Sequence, residues 1–261
     1  MKKAACTIGF ALAALSVAAQ DGREGWESVA SYRAERAVDH FAAQEKSTDP
    51  AVARAARFGR AVALLDLHPV TAAQLQEARG IFTSLAYSGA DDVAQGARFF
   101  LGRIAQHHAV VPDLAEADRQ FRQLITEHGD SLWAQTALSR LALLELYALR
   151  PTAPAAERVA AAEQLLGQAR APAAACELHY VIANAILFHL LPDAGALKHF
   201  VAAERLGRLG WNERREVLVQ IGELSRLAGD EAQAAEYYRK FLTENPRDQR
   251  AYLIRERLEK L

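Results

Sequence analysis

Between Val217 and Leu242 apolar residues recur at three- and four-residue intervals, in two blocks separated by Gly229-Asp230. Val217, Leu218, Ile221, Leu224, Leu227 and Ala228 form the stripe of one helix. Ala234, Tyr238, Phe241 and Leu242 form that of a second, with Glu236, Arg239, Lys240 and Glu244 on its other side. Gly229 is suited to end the first helix because it enters the left-handed region without a Cβ clash. Asp230 with Gln233 predicts a cap for the second. Asn245-Pro246 reads as the N-cap and first residue of a further helix. Strand-type alternation is absent throughout, so the expected class is all-α.

The same patterning predicts a helix from Trp26 to about Lys46, with Val29, Tyr32, Arg36, Val38 and Phe41 scattered around its core side. Asp49-Pro50 then opens a helix running through Phe58 and Gly59 to Leu67, and His68-Pro69 breaks it. Thr71 and Gln74 predict a capping box. Pro and Gly breakers after that mark off apolar segments, giving about twelve helices: a leading helix, five pairs and a closing helix at 247–259. Ahead of these, Lys2 and Lys3 precede an uncharged run ending Val17-Ala18-Ala19, the pattern of a cleavable export leader. The expected organisation is a signal peptide at 1–19, an N-terminal helix at 20–49 and a helical domain at 50–261.

Ala78 with Phe82, Ala117 with Phe121, Ala196 with Phe200, and Ala234 with Tyr238 share one Ala-x3-aromatic spacing, at intervals near 39 or twice that. Ala161 with Leu165 fills the double gap. A second echo sets Gly89-x4-Ala94-Gln95-Gly96-Ala97 against Gly129-x4-Ala134-Gln135-Thr136-Ala137. One helix pair buries too little apolar surface to offset ordering its backbone, so neighbouring pairs must stack. Gly222, Ala234, Tyr238 and Pro246 follow the spacing of the tetratricopeptide repeat: a small residue, an Ala twelve on, an aromatic four on, a Pro eight on. The chain resembles that family over roughly 50–260, most clearly over 177–246. Phe241 and Ser225 depart from its pattern. The resemblance implies an α-α superhelix whose first helices line a concave binding face.

Composition narrows the chemistry. Without Lys2 and Lys3 the chain holds 29 basic and 32 acidic residues, a net charge of −3, with no basic excess to attract nucleic acid or anionic lipid. Only Cys176 lies outside the leader, so no internal disulfide is expected and the thiol reads as buried. Adjacent His107 and His108 point about 100° apart on a helix, and His179 and His189 fall on different sides of theirs, so no metal set is expected. No phosphate-binding or nucleophile-elbow motif is present. Asp91-Asp92 reads as a helix start, favoured by its dipole. No cofactor is expected.

What these residues leave is a binding surface. By the resemblance, the concave side carries Arg60, Phe99, Arg103, Gln106, His107, Ser139, Leu143, Tyr147, Leu178, Val181, Phe188, His189, Glu223 and Arg226. Of these, Arg60, Phe99, Arg103, His107, Tyr147, Phe188, His189 and Arg226 are the candidate contacts for a protein or peptide partner. The family's carboxylate-clamping Lys, Asn and Arg set is absent, and Asn184 occupies a helix-crossing position. The expected function is a non-catalytic scaffold in a bacterial periplasm or envelope, not inserted in the membrane once the leader is removed. The alternatives are a self-assembling repeat protein and an α/α toroid acting on carbohydrate through paired carboxylates.

Overall fold

The structure, a computed structural model, describes residues 19–261; the expected leader lies outside them except for Ala19. The described chain is all-α, without a strand. Its helices are α1 (Ala19–Ala30), α2 (Ala34–Gln44), α3 (Pro50–Asp66), α4 (Ala72–Ala86), α5 (Asp92–Arg103), α6 (Leu114–His128), α7 (Leu132–Tyr147), α8 (Ala155–Gln164), α9 (Pro172–Phe188), α10 (Asp193–Leu206), α11 (Trp211–Leu227), α12 (Glu231–Glu244) and α13 (Ala251–Leu258). None of them is long and apolar enough to cross a membrane. They form two compact units divided between Ala137 and Leu138, within α7, and in each unit helices pack mainly on their sequence neighbours.

The single leading helix expected from Trp26 to Lys46 is instead two. Val29 O accepts from Tyr32 N and Ser28 O from Arg33 N, closing α1 with Tyr32 at φ 58. That left-handed residue is ordinarily glycine, so a tyrosine there carries no local signal of a helix end. α1 and α2 form a pair of their own, in which Phe41 is fully buried against Gly25 and Gly59. Gly25, Ala37 and Phe41 reproduce the spacing of Gly222, Ala234 and Tyr238. The first unit therefore contains three pairs, α1/α2, α3/α4 and α5/α6.

Every Ala-x3-aromatic pair predicted from the sequence is buried. A Cβ on Gly102 would lie 2.6 Å from the Phe121 ring, and one on Gly222 would lie 2.4 Å from the Tyr238 ring. The longer Gly102-to-Ala117 interval is absorbed by a π-turn at Ile104–His108 and the loop after it, so the contact survives the insertion. Gly59, on α3, faces back to Phe41 rather than forward to the ring of Phe82. In the weakest copy the buried alanine is Ala162, not Ala161, and α8 tightens into a 3₁₀ turn at Leu165–Gln168. Asn184 is exposed and its side chain donates to Tyr180 O on its own helix, so it marks no crossing.

Phe58, Phe82, Phe99, Phe100, Phe121 and Trp133 form a continuous aromatic core in the first unit, including a stacked Phe82–Phe100 pair at 5.2 Å. The second echo in the sequence is a shared helix-start device. Asp91 Oδ1 accepts from Ala94 N at 2.9 Å and Ser131 Oγ accepts from Ala134 N at 3.1 Å. Gln95 and Gln135 then return a side-chain amide to Ala90 O and Gly129 O. Thr71 and Gln74 form the expected capping box, and Asp230 caps α12 through Gln233 N. Asn245 closes α12, its side chain donating to Phe241 O, and the last helix begins later, at Ala251.

Candidate functional site

Three of the sequence-derived candidates come together in the second unit. Tyr147 ends α7, Phe188 ends α9 and His189 follows it. The Tyr147 and Phe188 rings meet edge to face at 5.4 Å; His189 lies 5.4 Å from Tyr147 and 4.9 Å from Phe188. Leu146 O, in the last turn of α7, accepts from Arg158 Nη1 at 2.8 Å and from His189 Nε2 at 3.3 Å. It is a carbonyl its own helix leaves without a partner. Two donors converge on it from later in the chain, Arg158 on α8 and His189 just after α9, which orients the imidazole with Nε2–H inward.

The trio is well exposed for aromatic residues. Phe188 is 70 % exposed and Tyr147 38 %. Leu190 beside them is 91 % exposed and holds φ 53. Leu187 O accepts from Leu190 N and Ile186 O from Leu191 N, the same two bonds that close α11 through Gly229. A branched side chain thus sits where glycine is ordinary, at a cost of about 1–2 kcal/mol. Burial pushes the Tyr147 phenol above its usual range, against the opposing pull of the Arg158 guanidinium, so the hydroxyl remains a donor at neutral pH. The patch can bury an apolar side chain and offer hydrogen bonds at its edge.

The other candidates are elsewhere. Phe99 is fully buried against Phe100, Phe121 and Trp133 and belongs to the core, because α5 turns that side inward. Arg60 pairs with Glu45 at 2.5 Å and with Glu77. Arg103 lies near Asp66, whose carboxyl is raised by burial, and His108, whose imidazole is lowered by burial. His107 is exposed in the π-turn. Arg226 bonds Glu223 at 3.2 Å, and Glu223 also accepts from Tyr238 Oη at 2.5 Å and pairs with Arg257. Gln106, Ser139 and Leu178 are buried, while Leu143 and Val181 are half-buried.

Sequence reasoning missed a polar chain in the same unit. Glu163 Oε1 lies 3.0 Å from His199 Nε2, and His199 Nδ1 lies 2.8 Å from His179 Nδ1. His199 is buried. Burial lowers the His179 imidazole, and His199 and Lys198 lower it further. The His199 ring thus bridges the Glu163 carboxylate and the His179 imidazole, one nitrogen to each. These residues lie on three helices, far apart in sequence, with no shared periodicity. Among the described residues no group of three or more His, Cys, Asp or Glu is placed to hold a metal ion.

Cys176 is a buried free thiol, as the sequence implied; it donates to Ala203 O at 3.3 Å, and burial raises its pKa. No protein-family profile matches the chain, and no curated protein matches its sequence.

Proposed function

We propose that the protein is an exported, non-catalytic helical-repeat scaffold, similar to tetratricopeptide-repeat proteins, that holds a peptide segment of a partner protein. The observation that carries this reading is the exposed Tyr147–Phe188–His189 trio with the strained Leu190 beside it. An exposed aromatic group whose imidazole is tied to a carbonyl beneath it is preorganised for contact, so little side-chain freedom is lost when a partner binds. Strain at an exposed residue is also characteristic of binding sites. The three rings stand at the ends of α7 and α9, the helices that would face inward in a repeat array of this type. The leader-like pattern of residues 2–19 supports export to a bacterial periplasm or envelope.

The test is selection of peptides from a displayed random library on the full chain, followed by Phe188→Ser and Tyr147→Ser. Both positions are exposed enough for the fold to persist, which circular dichroism checks. Enriched peptides should carry an aromatic or aliphatic anchor and bind each variant at least tenfold more weakly. Equal binding to parent and variants overturns this placement of the site.

A further inference from the structure

A second surface in the same unit has a different character. Helix α10 is apolar on two sides. Ala196, Phe200 and Ala203 face the core, while Leu197, Val201 and Ala202 line a groove of about 560 Å³. Its opposite wall is Leu224, Leu227 and Ala228, at the end of α11. Leu227 is 64 % exposed. The groove follows α10 from Asp193 to Arg205, about 18 Å at the rise of an α-helix. The apolar arc of α10 is thus wider than its core contacts use, leaving Leu197 and Val201 half-buried beside the exposed Leu227.

The rim gives that occupant its charge. Lys198 and Arg205 are both exposed and stand seven residues apart on α10, two turns along one side and about 10 Å apart. Neither forms an ion pair among the described residues. Arg214, by contrast, binds Glu204 and Glu244, and Arg226 binds Glu223. Asp193 is the single acid in the lining, at the far end of the groove from Arg205.

We infer that this groove docks an amphipathic helix of a partner protein. Its apolar stripe would lie on Leu197, Val201 and Leu227, and acidic side chains two turns apart would meet Lys198 and Arg205. A facing helix repeats its side chains at the same 5.4 Å pitch, so acids at i and i+7 match the cation spacing, and an i, i+4 apolar pair between them reaches the floor. An extended strand, rising about 3.3 Å per residue with alternating sides, cannot keep both matches over this length.

The experiment screens a phage-displayed library of amphipathic helices against the full chain. The library fixes two Leu four residues apart and randomises the remaining positions. Helices with Asp or Glu at a seven-residue interval should enrich. The best of them, as a synthetic peptide, should lose at least tenfold in affinity to K198E/R205E and to Leu227→Asp. A Lys-bearing version of it should regain binding to K198E/R205E. All three altered residues are exposed, and circular dichroism verifies the fold. Phe188→Ser, which removes the aromatic trio, should leave this binding unchanged, so failure of one site is distinguishable from failure of the other. No enrichment overturns the inference, as does enrichment of neutral or basic helices, or equal binding to the charge-reversed chain. A parent that self-associates in light scattering, with Leu227→Asp abolishing it, assigns the groove to a second copy and likewise overturns it.

Discussion

Gly222 faces the ring of Tyr238 so closely that a Cβ at position 222 would lie 2.4 Å from Cε1. The same relation holds Gly25 against Phe41, at 2.5 Å, and Gly102 against Phe121, at 2.6 Å. These contacts let two helix backbones approach while a large ring fills the space beside the crossing. Helix propensity favours Ala over Gly by about 1 kcal/mol, but a methyl forced into a buried ring costs about 1–3 kcal/mol. Gly222→Ala is therefore expected to destabilise. Gly80 lies in α4 with nothing near its missing Cβ, so Gly80→Ala should gain about 0.5–1 kcal/mol. Urea unfolding of the two variants checks the opposite signs; a stabilised Gly222→Ala contradicts the account of the crossing.

Those crossings explain what the sequence could disclose. Ala-x3-aromatic and the preceding glycine leave a spacing because one helix face must present a small residue where the other presents a ring. Where a loop or π-turn lengthens the connection, as between Gly102 and Ala117, the spacing changes but the contact does not. The first pair, Gly25 with Ala37 and Phe41, has the undistorted spacing, yet it was hidden by Tyr32. A helix end closed by a non-glycine residue in the left-handed region looks like an uninterrupted helix. Of the candidate site, the apolar ends of α7 and α9 were legible as a face. The burial of Phe99 was not, because its helix is apolar on more than one side and only packing decides which side turns inward. The Glu163–His199–His179 chain depends on three helices meeting, which no local pattern encodes.

Asp91 offers a prediction in pH. Arg54 grips both of its oxygens at 3.0 Å and Ala94 N donates to one of them, so the carboxyl is held below its usual range, chiefly by Arg54. A carboxylate with a depressed folded-state pKa adds stability above its unfolded value of about 3.9 and loses it as the pH falls through the lower folded value. Asp91→Asn keeps a good helix cap but removes the charge. The pair is partly exposed, so the variant should be about 0.5–1 kcal/mol less stable at pH 7. That gap should close as the pH is lowered below about 4. Urea titrations of both proteins across this range test it, and a gap that persists undiminished in acid would show that the charge is not its source.

Cys176 should report on opening of the second unit. Its thiol is buried, bonded to Ala203 O and raised in pKa by burial, three conditions that suppress the reactive thiolate. In native buffer an aromatic disulfide reagent should label it orders of magnitude more slowly than in denaturing urea. Labelling at the rate of a free thiol would place the α9–α10 contact in a readily opened state.

The end of α9 carries backbone strain at an exposed position. Leu190 and Gly229 close their helices with the same pair of backbone bonds, at φ 53 and φ 78. For leucine that conformation costs about 1–2 kcal/mol, whereas glycine forfeits about 0.5–1 kcal/mol of backbone freedom on folding. Because the Leu190 side chain is exposed, little packing is lost with it. Leu190→Gly should therefore stabilise the protein by roughly 0.5–1 kcal/mol, while Gly229→Ala should destabilise it by about 1 kcal/mol. If the aromatic trio and Leu190 form one contact surface, Leu190→Gly should also weaken the peptides selected through Phe188. Urea unfolding and peptide affinity, measured on the same preparation, give the two readouts. A variant that is more stable and binds as the parent does would reduce Leu190 to plain strain; one that is less stable would refute the reading of its backbone.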